Sequence, residues 1–466
     1  MTNIATSIEK AYSTRWLKEN MEAIIVAFIA AMVIRCFSIE VFQIPTGSME
    51  PTLMGGHELY DSKGNKIGVI NDRIMATKFF YELSPIERFD VVLFKFPLNQ
   101  SKNFIKRVVG LPEEELYVKN GNIFTRKINS TEQQFQIAKK PLRVQESIWI
   151  NPTDIYNFTE SRDTFEKYWD YNNTTFNVED SRLAVKEISG SRSARFTYKK
   201  SITDGHTSDK VGDIKLSLNV EILGNSGYVF SEIENEYGSF TVYLSKSSNN
   251  KLLYIDNDGK RVEIPLKTEK VKLDRAYRLE LLVYDGTVYT KLNGTTEAKY
   301  DFLTFDKPFN QLNNYSVSFG SNELLFMAQN IRIARDIYYK AKENVSDNAA
   351  EAITIPPHCY IMMGDNVNTS HDSRGWRKRT FILKDDREIE CEEGEVDTSG
   401  TVKDPSGISH DYAIKNNIHG VAYWFDEKAI KTQIRSESSP FVEEKYILGK
   451  AFWIWWPPSR AFRLIR

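Results

Sequence analysis

From about residue 40 to the end of the chain, short runs alternate apolar and polar residues and stop at Gly, Pro, Asn or Asp. Residues 74–77, 90–96, 104–109 and 116–118 are examples, the last followed by a Lys119-Asn120-Gly121-Asn122 turn and a further run at 123–125. A period of two puts alternate side chains on opposite faces of a strand, so such runs fold as half-buried strands rather than helices. The chain is therefore expected to be mainly β. At 466 residues it is too long for one ordinary domain and should hold two or three. Its 41% hydrophobic content, with 27 Phe, 23 Tyr and 8 Trp, suffices for more than one core. The 61 Lys+Arg against 63 Asp+Glu give a net charge of -2, which offers no nucleic-acid surface. No repeat of fixed period and no low-complexity tract is present.

The texture changes between about 135 and 340. Strand-like runs at 195–198, 214–222, 228–233, 240–244, 251–255, 277–284, 287–292 and 315–319 are separated by polar turns. Asp285-Gly286 and Asn293-Gly294 are hairpin-type turns. This spacing predicts a β-sandwich or jelly roll inserted over residues 135–343. The run 277–286 followed by 288–294 resembles the late hairpin of concanavalin-like (laminin-G-like) sandwiches. Two readings of the insert stand, one with a ligand and one without. Compact motifs return from about 353, interrupted by a polar stretch at 381–438 that reads as a second insertion. The section ends in Phe452-Trp453-Ile454-Trp455-Trp456-Pro457-Pro458 beside Arg460, Arg463 and Arg466. That cluster suits either core packing or a membrane interface.

Near the N-terminus, residues 23–34 are uninterrupted apolar sequence, preceded by Lys10, Arg15 and Lys18. Twelve residues fall short of the roughly 20 that span a bilayer, but the helix extends if Arg35 snorkels to the interface and Cys36, Phe37 and Ile39 continue it. A cleaved signal needs small residues after the apolar run, and Arg35-Cys36-Phe37-Ser38-Ile39-Glu40 has the wrong chemistry. The expectation is an uncleaved transmembrane anchor over 21–39, with residues 1–20 in the cytoplasm and the remainder outside. Cys36 lies in this segment, leaving Cys359 and Cys391 as the one pair that a bridge would join; three cysteines make no disulfide framework.

Just after the anchor comes Ile44-Pro45-Thr46-Gly47-Ser48-Met49-Glu50-Pro51-Thr52-Leu53. Two prolines and a glycine fence a serine on a turn of restricted geometry. The turn is either a mount for a nucleophile or an ordinary surface loop. A serine nucleophile needs a group to take its proton. The six histidines stand in no triad signature, and no Gly-x-Ser-x-Gly surrounds Ser48. His-Glu-x-x-His and Cys-x-x-Cys are also missing, so no metal motif is found. Lysine is left. Lys106 shares one strand face with Phe104 and Val108, where partial burial would depress its pKa and let it act as a neutral base; the bland alternative is a solvated face. The stretch Gly364-Asp365-Asn366-Val367-Asn368-Thr369-Ser370-His371-Asp372-Ser373-Arg374 is dense in turn formers, and its spacing is not that of an EF-hand.

Taken together, these stretches resemble the bacterial type I signal peptidases, membrane-anchored serine proteases with a Ser–Lys dyad. The resemblance rests on Ser-Met-x-Pro-Thr-Leu at 48–53, Arg88-Phe89-Asp90-Val91-Val92-Leu93-Phe94, Lys106-Arg107-Val108-Val109-Gly110-Leu111-Pro112, and Gly364-Asp365-Asn366 with Ser370-x-Asp372-Ser373-Arg374. It implies an all-β catalytic domain over 40–128 and 345–466, with Ser48 as nucleophile and Lys106 as general base. It further implies that Ser370 orients the lysine amine, that Thr46 and the Ser48 N–H form the oxyanion hole, and that Asp372 and Arg374 pair. Arg107 follows the lysine as in relatives. Phe89 stands where the family usually has glycine, and Glu113-Glu114 where it has Gly-Asp; Val367 and Asn368 replace a common Arg-Asp. The implied partners are preprotein signal peptides, the lipid bilayer and the secretion translocase; no cofactor and no metal is implied. The implied location is the cytoplasmic membrane, single-pass, with the catalytic domain on the outer face. Two alternatives compete: a Ser–Lys self-cleaving regulator, and a surface-binding protein that works through its sandwich while its peptidase core is vestigial.

Overall fold

The computed structural model describes residues 20–29, 39–60, 65–129, 131, 134–152, 158–172, 174–188, 193–205, 208–272, 275–306, 315–399 and 402–466. It is mainly β, as the alternation predicts. Residues 20–29 are helical with exposed side chains, and 1–19 and 30–38, with Cys36, lie outside the described residues; Ile39, expected to continue the anchor helix, instead opens a strand paired with Thr77. Among the described residues no helix is long and apolar enough to cross a membrane.

The central sheet runs in the order Ile39–Gln43, Arg73–Thr77, Ile447–Trp456, Val91–Phe96, Asn99–Gly110, Cys359–Met363, Phe441–Glu443. Alternation along Val91–Phe96 explains its two cores. Val91 and Leu93 pack with Ile44, Met49, Leu53, Ile74 and Ile454 on one side. On the other, Val92, Phe94 and Phe96 pack with Val108, Met362 and Trp376. In the aromatic cluster near the C-terminus Ile454 is buried, whereas Trp456, two residues on and across a register shift in the same strand, is exposed.

Between Asn122–Lys127 and Cys359–Met363 lies the sandwich. Two seven-stranded antiparallel sheets, one centred on Tyr228–Asn235 and the other on Ile214–Ile222, share a core that includes Phe196, Phe319, Leu216 and Leu281. Residues 377–438 fold separately into two small three-stranded sheets around Phe381, Ile389, Cys391, Ile414 and Phe425. Cys359 and Cys391 are free thiols.

Phe89 and Glu113, both at positions where the resemblance implied glycine, adopt φ of 73° and 59°. The left-handed region costs an L-residue roughly 1–2 kcal/mol that glycine avoids. The neighbouring change is compensated: Glu114 does the work of a shorter acid, accepting both Arg88 guanidinium bonds at 2.6 Å and the Leu111 N–H at 2.7 Å. Since Glu113 is exposed, Glu113→Gly should stabilise the protein by about 0.5–1 kcal/mol, strain relief outweighing the added freedom of the unfolded chain. Urea denaturation of the two proteins side by side checks the sign.

Candidate active site

Ser48 sits in a single 3-10 turn, Gly47–Met49, whose one internal bond runs from the Glu50 N–H to the Gly47 carbonyl at 3.1 Å. The Ser48 N–H has no acceptor within that turn. Met49 is fully buried and anchors the turn in the core, so the adjacent serine is held half-exposed at the surface of the sheet. From across the sheet the 364–366 loop grips it. The Asn366 N–H donates to the Ser48 carbonyl at 3.2 Å, and Asn366 Nδ2 to the Gly47 carbonyl at 3.1 Å. Gly364 is required for that approach: a Cβ there would lie 2.5 Å from the Ser48 carbonyl oxygen and 2.1 Å from Ser370 Oγ.

Lys106 comes from the middle of Asn99–Gly110, opposite Val92. Its side chain shares a face with Phe104 and Val108, is only 4% exposed, and ends 2.7 Å from Ser48 Oγ. At that distance an ammonium can donate to the hydroxyl, or the hydroxyl to a neutral amine. Burial lowers the lysine pKa to about 8, against the opposing pull of the Asp372 and Asp365 charges and with help from Arg374. A neutral amine is thus accessible near physiological pH.

One residue further on, Arg107 points to the opposite face and is completely buried. It forms a two-pronged pair with Asp365, Nε to Oδ1 at 2.8 Å and Nη2 to Oδ2 at 2.6 Å, with neither side chain exposed. It also donates to Thr52 Oγ1 at 3.1 Å, to the Phe89 carbonyl at 2.7 Å and to the Arg466 carbonyl at 3.0 Å. Thr52 in turn donates to Asp365. Asp372 and Arg374 form a second buried pair, Nη2 to Oδ2 at 2.7 Å, and the Gly364 N–H donates to the same carboxylate at 3.0 Å. Although burial opposes its charge, Arg374 holds the Asp372 carboxyl below its ordinary range.

The structure therefore brings Ser48, Lys106, Arg107, Asp372 and Arg374 into one neighbourhood. Ser370 departs from the expectation that it orients the amine. Its buried hydroxyl makes no hydrogen bond of ordinary geometry among the described residues, although it lies near enough to Asp372 to favour the ionised carboxylate. The hydroxyl instead occupies the space that Gly364 leaves open, where a Cβ would lie 2.1 Å from it. Thr46 is exposed and its side chain does not cap the 3-10 turn. Sequence reasoning gave no role to Asp365, Thr52 or Asn366. The usable signal was Arg107 itself: an arginine on an apolar strand face needs a buried carboxylate.

Because the Asp365 carboxylate takes both prongs of the Arg107 guanidinium, Asp365→Ala should cost roughly 3–5 kcal/mol by leaving a buried charge unpaired. Replacing both partners with apolar residues, Arg107→Met with Asp365→Leu, should restore most of that loss. Chemical denaturation of the single and double variants measures both.

Residues 15–190 match the family model described as signal peptidase, peptidase S26. Signal peptidase I of Buchnera aphidicola subsp. Baizongia pistaciae is 29% identical over 166 residues, which is 36% of this chain and 48% of that protein. The enzyme of Pseudomonas fluorescens is 36% identical over 111 residues, covering 23% of this chain and 37% of the relative. A probable signal peptidase I of Synechocystis is 37% identical over 115 residues, covering 23% and 45%. The chain spans less than half the length of each of these relatives. Among solved structures, a galectin-like-fold protein of unknown function from Bacillus subtilis covers 40% of this chain at a TM-score of 0.30 and 11% identity, too distant a likeness to characterise it.

Proposed function

We propose, starting from the kinship of this chain with the bacterial type I signal peptidases, that it is a serine endopeptidase removing N-terminal signal peptides from exported preproteins. The observation that carries the reading is the buried Lys106 amine 2.7 Å from Ser48 Oγ. Ser48 Oγ attacks the scissile carbonyl while neutral Lys106 takes its proton. The resulting oxyanion accepts from the Ser48 N–H and the Thr46 hydroxyl, donors aimed at the charge that forms in the transition state. Lys106 then returns the proton to the departing amine, which becomes the N-terminus of the mature protein, and the signal peptide is left esterified to Ser48. A water molecule that gives its proton to Lys106 hydrolyses the ester. No cofactor enters these steps.

Asp372–Arg374 and Arg107–Asp365 serve by fixing the loops on either side of the pair, and Ser370 lines the site beside them. The substrate lies as an extended strand with small residues before the cut. An anchor at residues 21–39 would hold the site at the outer face of the cytoplasmic membrane, where cleavage sites emerge from the translocase. The exposed Trp456 and Phe462 suit contact with lipid there.

Ser48→Ala or Lys106→Ala should abolish processing of a preprotein in detergent while the melting curve is preserved. Lys106→Arg should be equally inactive, because arginine does not give up its proton at working pH. Wild-type-like cleavage by any of the three defeats the reading. The pH profile gives an independent check. The free amine is required, and Lys106 titrates at about 8, so kcat should rise with pH through that value and level off above it. A rise complete by pH 6 would assign the limb to a different group.

A further inference from the structure

The sandwich meets the rest of the chain at several places, among them Leu303 against Tyr117 and Phe124, and one of these is the Asp285-Gly286 hairpin. Lys140, within the expected insert but ahead of the first sandwich strand, Trp169–Asn172, is 3% exposed. Its ammonium lies 2.5 Å from Asp285 and 2.9 Å from Asp336, and its own N–H donates to Asp285 at 2.7 Å. A fully buried lysine is tolerated only with its counter-charges in place, since desolvation costs several kcal/mol per ion. The hairpin is therefore locked to Lys140 in one arrangement.

The same ammonium stands 5.9 Å from the centre of the Phe89 ring, within reach of a cation–π attraction. Phe89 is buried among Val109, Val144, Ile148 and Tyr339, so residues of the catalytic sheet and of the sandwich's two connections meet on it. Its backbone is held in the left-handed region at φ 73°, where a bulky residue is an outlier. Glycine would remove the strain but also the ring. The Phe89 N–H donates to the Val108 carbonyl at 2.7 Å, and the Phe89 carbonyl accepts from Arg107 Nη1 at 2.7 Å. Phe89 thus holds the strand at Arg107 and Val108, one and two residues from Lys106.

We infer that the sandwich, docked through Asp285 on Lys140, braces Arg107 by way of Phe89, so that Lys140 and Phe89 are positioning residues and the insert is a working part of the active site. The inference rests on the peptidase reading for its kinetic consequence only. Asp285→Asn suits the test, because asparagine accepts the left-handed backbone of this turn (φ 45°) while losing the charge and one of the two oxygens that accept from Lys140. In the full-length protein it should lower kcat about 5- to 10-fold with KM within about twofold, the mark of an interaction felt in the transition state. It should also speed hydrogen exchange at the Phe89 and Val108 amides. Phe89→Leu should act along the same path, so the double variant should be no slower than the slower single one. A folded Asp285→Asn protein with unchanged exchange at those amides overturns the inference, whatever the activity. So does full kcat in Asp285→Asn when Lys106→Ala is inactive. If Lys106→Ala cleaves normally, the peptidase reading falls instead, and exchange alone then decides the docking. Should Phe89→Leu not fold, Asp285→Asn carries the test, since it leaves the apolar core untouched.

Discussion

The Arg107–Asp365 pair is the contact on which the rest of the site depends. Both groups are wholly removed from water, so neither survives there without the other. Their bond joins the strand carrying Lys106 to the loop that grips Ser48, two segments separated in the chain by the whole sandwich. Thr52, from the turn that follows the serine, closes the triangle by bonding to both partners. A planar guanidinium fork offers a geometry that lysine lacks, because each prong fixes a direction as well as a distance. Positional accuracy at Ser48 and Lys106 is in this sense borrowed from a charge pair that touches neither.

Much of this was legible in the residues. The period-two runs announced strands, and the placement of Lys106 between Phe104 and Val108 followed from strand geometry alone. Asp285-Gly286 was readable as a hairpin turn, though its docking on Lys140 was not, because a turn's sequence states its backbone and not its neighbour. Ser370 was the reverse case. Its motif predicted proximity to the site, but its small hydroxyl occupies the space that Gly364 leaves open, which no spacing rule conveys. The pairing of Arg107 with Asp365 stayed hidden for a third reason: contacts between distant segments leave no local pattern.

The departures at Phe89 and Glu113 illustrate how a chain can keep a backbone shape while losing the residue that adopts it most cheaply. At Glu113 the exposed side chain gives no evident compensation. At Phe89 the ring is buried where the two connections of the sandwich meet the sheet, so the strain and the insertion belong together. A large domain can be accommodated between strands because closure entropy grows slowly with loop length. Accommodation does not by itself make the domain inert, and the buried Lys140 ties its hairpin to the segment that leads into it.

The strand order of the central sheet also bears on biosynthesis. Ile447–Trp456 lies between Arg73–Thr77 and Val91–Phe96, strands made hundreds of residues earlier. The sandwich pairs its strands at far shorter range and is complete as a unit well before that last central strand is synthesised. A growing chain therefore carries a finished insert and an open sheet whose two halves wait for their middle. Until that strand arrives the scaffold beneath Ser48 and Lys106 is incomplete, so the two side chains cannot be held together while the growing chain is still short of residue 447.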